Sequence, residues 1–260
     1  MLIAIDIGNS NIKIGGFSAE EEPIFTMSLS ALEPRSADEY ANALRMGLKE
    51  RKIELSKITD CAIASVVPAL TPLMASAMQA LCSCRILELG AGVRTGISVR
   101  TDSPAEVGAD IIANAAAAAA KSQEGAIIAD FGTATTIFAV NAKNELLGGA
   151  ILTGLRASAE SLRASAAQLP AVPLQAGKEL IGKNTADCIA NGVLLGHVYA
   201  IEGFAERFRA LLGGAPRLIA TGGLASLILP HTTLGFEKDP HLTLKGLRII
   251  YGKTRKIKIS

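Results

Sequence analysis

The stretch "LIAIDIGNSNIKIGGF" at residues 2–17 sets Asp6, Gly8, Asn9, Ser10 and Asn11 in one polar knot between runs of β-branched residues, with Lys13 close behind. A tight turn between two strands points successive backbone N–H groups into one concavity, and Gly8 lets a ligand approach with no Cβ in the way. Such a nest suits phosphate oxygens, to which Asn9, Ser10 and Asn11 can add donors. Asp6 would repel a bare phosphate, so it makes sense with a bridging cation; Mg²⁺ commonly binds through one or two carboxylates plus substrate phosphates. Lys13 either adds positive charge or faces solvent. The plainer alternative is an Asx turn in which Asp6 caps its own backbone.

The knot is echoed. "IAIDIGNSNIKIG" at 3–15 matches "IIADFGTATTIFA" at 127–139, with Asp130 for Asp6, Gly132 for Gly8, and Thr133, Ala134 and Thr135 for Asn9, Ser10 and Asn11. Repetition favours a nucleotide clamp over two unrelated turns. A third carboxylate, Asp110 in "EVGADIIANAAAAAAK", falls in the first turn of an expected helix. The positive end of the helix dipole favours an ionised carboxylate there. That position serves helix stability by itself, and it equally suits a group that accepts a proton from a substrate hydroxyl.

These residues need strands and helices to hold them. Ser36 and Glu39 form a capping-box pattern before a helix with Tyr40, Leu44 and Leu48 on one face. "CAIASVVP" at 61–68 reads as a buried strand, 70–82 as a helix and "RILELG" at 85–90 as a strand. The alanine-rich run then makes a strong helix. Strand "ELLGGAIL", helix "LRASAESLRASAAQL", a long helix over about 185–212, strand "RLIATGG" and helix "LTLKGLRIIYG" follow. The long helix sets Ile189, Val193, Ala200, Phe204 and Phe208 at helical spacing. Alternation of this kind predicts α/β layers. The basic "KTRKIKIS" at the end reads as a solvated tail.

Bulk properties narrow the function. With 26 basic and 24 acidic residues the net charge is +2, which points to neither a nucleic-acid binder nor an acidic solvating chain. No leader pattern is visible, and the apolar run at 111–120 is too short to span a bilayer. Cys61, Cys82, Cys84 and Cys188 lack paired zinc spacing and read as reduced structural residues, so a cytoplasmic location is expected. There is no GxxxxGK[ST] and no HExxH, and "GAGVRTG" at 90–96 lacks the context of a dinucleotide fingerprint. His197, on the long helix, reads as a packed or interface residue.

Taken in order, "DIGNSNIKIG", "ASVVP", "EVGAD", "DFGTATT", "GGAILTGLRASAESL", "GKNTADCIANGVLLGHVYAIEGF", "IATGGLASLI" and "DPHLTLKGLRIIY" resemble the type III pantothenate kinases of the acetate kinase/sugar kinase/Hsp70/actin superfamily. The resemblance implies two actin-like (ribonuclease H-like) halves related by duplication, each a mixed α/β sheet with flanking helices, expected over 1–115 and 116–260. It implies ATP-dependent phosphorylation of pantothenate to 4′-phosphopantothenate, the first step of coenzyme A biosynthesis. Position by position, Asp6 to Lys13 matches the first phosphate-binding hairpin, with Mg²⁺ held at Asp6 through the phosphates. Asp130 matches the aspartate of a monovalent cation, K⁺ or NH₄⁺, and Thr133 a second ATP contact. Gly108, Ala109, Asp110 and Ile111 match the pantothenate-binding segment, with Asp110 as proton acceptor, and Thr185 matches a threonine that contacts pantothenate. Gly222 and Gly223 resemble the adenosine-side glycine pair. The family is usually homodimeric through the long helix, where Gly192 and Gly196 would allow close approach. Two departures fall on the acyl-substrate side: Ile111 stands where the family commonly has Arg, and Thr101 where an aromatic is frequent. A kinase for another small hydroxylated molecule, or a regulatory relative that binds nucleotide without turnover, are the competing readings.

Overall fold

The computed structural model describes residues 1–165, 170 and 172–255. Its elements run β1 (Leu2–Ile7), β2 (Asn11–Phe17), β3 (Phe25–Ser30), α1 (Ala37–Glu50), β4 (Asp60–Ser65), α2 (Thr71–Leu81), β5 (Arg85–Glu88), β6 (Ser98–Val99) and α3 (Ala109–Lys121). They continue with β7 (Ala126–Phe131), β8 (Ala134–Val140), β9 (Glu145–Thr153), α4 (Leu155–Ser165), α5 (Thr185–Leu212), β10 (Arg217–Thr221), α6 (Ala225–Ile228), β11 (Glu237–Lys238) and α7 (Leu242–Arg255). The α1 capping box forms as its sequence predicts, with Ser36 and Glu39 exchanging bonds and Tyr40, Leu44 and Leu48 buried. Residues 166–169, the end of the helix expected from Leu155, lie outside the described residues.

The chain makes two compact units. The first comprises Met1–Ser98, Asp102–Ala120 and the chain from His241 onward; the second comprises Val99–Thr101 and Lys121–Pro240. This differs from the division at 115/116 expected from sequence. Residues 116–120 stay with the helix they continue. α7 returns to the first sheet, where Leu244, Leu247 and Ile250 join Leu2, Ala4 and Phe17 in one core. Gly246 makes this possible, because a Cβ there would lie 1.9 Å from the carbonyl oxygen of Ala113 on α3.

In the first unit the strand order is β3-β2-β1-β4-β5, with β1–β2 and β2–β3 antiparallel and β1–β4 and β4–β5 parallel. In the second it is β9-β8-β7-β10-β11, with the same directions at every corresponding pair and β6 added beyond β9. The echo between two short motifs therefore extends to two whole sheets. β3 carries no clear signal in the sequence, since "FTMSLS" alternates only weakly and its inner face is half-covered.

Period-two alternation decides what each strand presents. Ile3, Ile5 and Ile7 pack with α1 and α2 residues such as Leu44 and Met74, while Leu2 and Ala4 pack under α3 and α7. In the second unit Ile127, Ala129 and Phe131 pack against Leu194, Val198 and Ile201 of α5. By length and composition α5 could cross a bilayer, yet those three residues are buried in the second core. Of the residues expected at helical spacing, Ile189 and Val193 are buried, while Ala200, Phe204 and Phe208 lie half-buried beside the buried Val198, Ile201 and Ala205. The expected basic tail is shorter as well, because Lys253–Arg255 belong to α7.

Candidate active site

The first hairpin builds its polar knot from strand register. Asp6 lies opposite Lys13 in the antiparallel β1–β2 pair, so the two side chains share a face of the sheet. Alternation puts them on the face of Leu2 and Ala4, the one that α3 covers. The Gly8 N–H donates to the Asn11 carbonyl at 3.0 Å and closes the turn. A Cβ on Gly8 would sit 3.2 Å from that oxygen, tighter than ordinary contact. The Ala31 N–H donates to the Ser10 carbonyl at 3.0 Å and buttresses the turn from the end of β3. Asp6 is buried, whereas Asn9 and Asn11 are exposed and Ser10 and Lys13 are half-buried.

Asp110 is brought to the same face by α3. Gly108 stands two residues before it, and a Cβ there would fall 2.4 Å from Asp110 Oδ1 and 3.4 Å from Val66 Cγ1. The carboxylate thus occupies space that only a glycine leaves open. The Ile111 N–H donates to Asp110 Oδ1 at 2.8 Å and fixes its rotamer. Burial pushes the Asp110 carboxyl above its ordinary value, opposed by the bonds from the Ile111 and Asp110 N–H groups and by the Lys13 ammonium. A half-buried carboxylate with a raised pKa, held at a helix mouth, is suited to accept a proton.

The second unit repeats the hairpin with a different outcome. Asp130 lies opposite Thr136 and beside Thr221 of β10. The Gly132 N–H donates to the Ala134 carbonyl at 3.0 Å, closing a turn one residue tighter than in the first hairpin. Gly132 and Thr133 are exposed, but Thr135 is fully buried and its Oγ1 has no hydrogen-bond partner among the described residues. Where Asn11 faces outward, its sequence counterpart faces the core. Gly222, at φ +93°, lies against Asp130; a Cβ there would meet Asp130 Oδ1, Phe131 N and Phe131 C at 2.5 Å each. Gly223 has open space around it among the described residues, so of this pair only Gly222 is required by those surroundings. Thr185 is the first residue of α5, just after the N-cap Asn184, whose side chain accepts from the Asp187 N–H.

The expected residues therefore gather in two sets. Asp6, Gly8–Asn11, Lys13 and Gly108–Ile111 belong to the first unit, and Asp130, Thr133, Thr185, Gly222 and Gly223 to the second. The donor set of the first fits a nucleotide–metal pair: exposed amides, a hydroxyl and an ammonium for phosphate oxygens, and a carboxylate that a bare phosphate would oppose. Gly154 escaped notice in the sequence. A Cβ on it would lie 2.1 Å from the Thr133 carbonyl oxygen, so the β9–α4 junction forms the floor of the second turn. The signal was the glycine at a strand-to-helix boundary in "LTGLR".

Residues 2–207 match the family described as type III pantothenate kinase. A type III pantothenate kinase of Moorella thermoacetica is 41% identical over 251 residues, covering 96% of this chain and 98% of the relative. Among solved structures, a Baf family protein of Campylobacter jejuni has a TM-score of 0.64 at 18% identity, with 98% and 99% of the two chains covered. Component A of the (R)-2-hydroxyglutaryl-CoA dehydratase of Acidaminococcus fermentans has a TM-score of 0.57 at 12% identity, covering 100% and 99%. Likeness at these identities is a likeness of fold.

Proposed function

The chain belongs to the type III pantothenate kinase family, and from that premise we propose how its own residues carry the reaction. The reaction is ATP-dependent phosphorylation of pantothenate to 4′-phosphopantothenate, the first step of coenzyme A biosynthesis. Asp110 accepts the proton of the primary hydroxyl as that oxygen bonds to the γ-phosphorus and the bond to ADP breaks. The observation that carries this assignment is the Asp110 carboxylate lodged against Gly108 and anchored by the Ile111 N–H, on the face of the sheet that also presents Asp6 and Lys13.

Phosphoryl transfer asks little covalent chemistry of a protein, so positioning and charge neutralisation dominate. The turn from Gly8 to Asn11 holds phosphate oxygens, and Lys13 offsets their charge. Asp6 is the residue that would hold Mg²⁺, and Asp130 the one that would hold K⁺ or NH₄⁺; both ions supply charge neutralisation when bound. Thr133 contacts ATP from the second hairpin, with Gly222 and Gly223 on the adenosine side. Gly108, Ala109, Ile111 and Thr185 bind pantothenate. Ile111 contributes no charge, which leaves backbone N–H groups and Lys13 to do what an arginine does elsewhere in the family.

The working unit is a cytoplasmic homodimer. Support comes from α5, where Gly192 and Gly196 are exposed with nothing near their Cβ positions and Tyr199 on the same face is 53% exposed. The two glycines let a second helix approach closely, and Tyr199 offers it an aromatic contact.

The test is ADP release from Mg·ATP and pantothenate, with and without K⁺, on purified protein. Pantothenate-dependent, K⁺-stimulated turnover is expected, and Asp110→Asn should lower it about 10²- to 10⁴-fold, the range for general acid–base catalysis. Full activity in Asp110→Asn removes Asp110 from the role.

A further inference from the structure

We propose that His197 is a positioning residue for ATP, acting through the floor of the second hairpin; this rests on the reading of Thr133 as an ATP contact. His197 is buried on α5. Its Nδ1 lies 2.7 Å from the Val193 carbonyl oxygen one turn earlier, and its Nε2 lies 2.7 Å from the Thr153 carbonyl oxygen at the end of β9. At that distance each contact is a hydrogen bond only while the ring nitrogen concerned carries a proton.

The Nε2 contact leads directly to the turn. Thr153 pairs with Ala134, the first residue of β8. Gly154, next in the chain, is pressed against the turn so closely that a Cβ would lie 2.1 Å from the Thr133 carbonyl oxygen and 3.2 Å from that of Gly132. Movement of the Thr153–Gly154 peptide therefore moves the backbone of Thr133. Ser158 Oγ also reaches the Thr153 carbonyl, but at 3.5 Å, the outer limit of a hydrogen bond, so His197 with its proton on Nε2 is the close side-chain donor to that carbonyl. The imidazole ties α5 to the end of β9, on which the Thr133 turn rests.

Two substitutions separate the two ring nitrogens. His197→Gln places an amide nitrogen near Nε2, able to donate to the Thr153 carbonyl. His197→Asn places one near Nδ1, within reach of Val193 alone. Steady-state kinetics on the full chain should show KM for ATP raised about tenfold in His197→Asn, the effect of losing one hydrogen bond. KM for pantothenate should stay within about twofold, and His197→Gln should stay within about threefold of the parent in both. Equal KM values for ATP in all three proteins overturn the proposal. So does an equal rise in both variants that tracks their loss of thermal stability, since that reports packing.

Thr133→Ala serves as the control. If it leaves KM for ATP unchanged, the reading of Thr133 has failed; if it raises KM while His197→Asn does not, the positioning role has failed. Should His197→Asn not fold, ¹⁵N NMR of the ring in the parent protein decides. An Nε2 proton protected from exchange, with a resonance that moves when Mg·ADP is added, supports the proposal. An unprotonated Nε2 overturns it.

Discussion

Gly108→Ala is the substitution that most directly tests whether the position of one carboxylate sets the rate. The new Cβ would begin 2.4 Å from Asp110 Oδ1 and 3.4 Å from Val66 Cγ1. Contact with Val66 is tolerable, so the strain falls on the Asp110 carboxylate, which must move by about 1 Å to reach ordinary van der Waals separation. The Ile111 N–H bond at 2.8 Å opposes that movement and is stretched or lost. A displacement of about 1 Å at a reacting group costs on the order of 10²-fold in rate, or about 2.7 kcal/mol in the barrier. Stability should change far less. Gly108 precedes α3, and exchanging Gly for Ala at a helix N-cap costs up to about 1 kcal/mol. The assay is ADP release for kcat/KM beside thermal melting of the same preparation. Combining Gly108→Ala with Asp110→Asn should give no further loss than Asp110→Asn alone, because both act through one group. A Gly108→Ala enzyme within about threefold of the parent, or losses that multiply in the double variant, would refute the reasoning.

Three further outcomes are expected. Because burial raises the Asp110 carboxyl, the acid limb of kcat/KM against pH should lie above that of an ordinary aspartate, with activity lost as pH falls through it; Lys13→Met should move the limb further up, since Lys13 opposes the shift. For Asp60, burial alone would raise the carboxyl, but hydrogen bonds from Tyr251, Thr59 and Arg85 outweigh it and hold Asp60 below its usual value. Its contribution to stability is therefore present above the unfolded-state pKa and lost as pH falls through the folded one. Tyr251→Phe should cost roughly 1.5–3 kcal/mol in denaturant unfolding at neutral pH, with the difference from the parent shrinking in acid. Gly222→Ala should lower stability and raise KM for ATP together, because a Cβ at φ +93° meets both Asp130 and the Phe131 backbone; a variant as stable as the parent would contradict this.

The parts of this molecule that were legible beforehand are those where a local pattern has one physical solution. Alternating isoleucines around "DIG" leave a buried strand and a turn, and the alanine run before Lys121 leaves a helix. The residues flanking Asp6, Asp110 and Asp130 could be located because a glycine stood where backbone had to pass close. Other features depended on partners far away in sequence. Gly154 matters only because the Thr133 carbonyl comes to rest on it, and the inward turn of Thr135 follows from strand register, which its resemblance to Asn11 did not reveal. The extent of α7 was hidden for the same reason: Arg255 looks like a solvated cation until Asp60, on β4, is placed beside it at 3.6 Å.

The placement of α7 has a consequence for how the chain comes into being. The second unit's main segment, Lys121–Pro240, is continuous and can complete its sheet while translation is still under way. The first unit is begun before that segment and completed after it, because the helix that covers Leu2, Ala4 and Phe17 follows Pro240 in the chain. Until then the face that carries Leu2, Ala4 and Phe17 has no cover from α7. A ribosome stalled just before His241 would hold a finished second unit and an open first one. Lesions in α7, which carries none of the residues proposed to touch substrate, should therefore reduce the yield of active enzyme more than the activity of each molecule that folds.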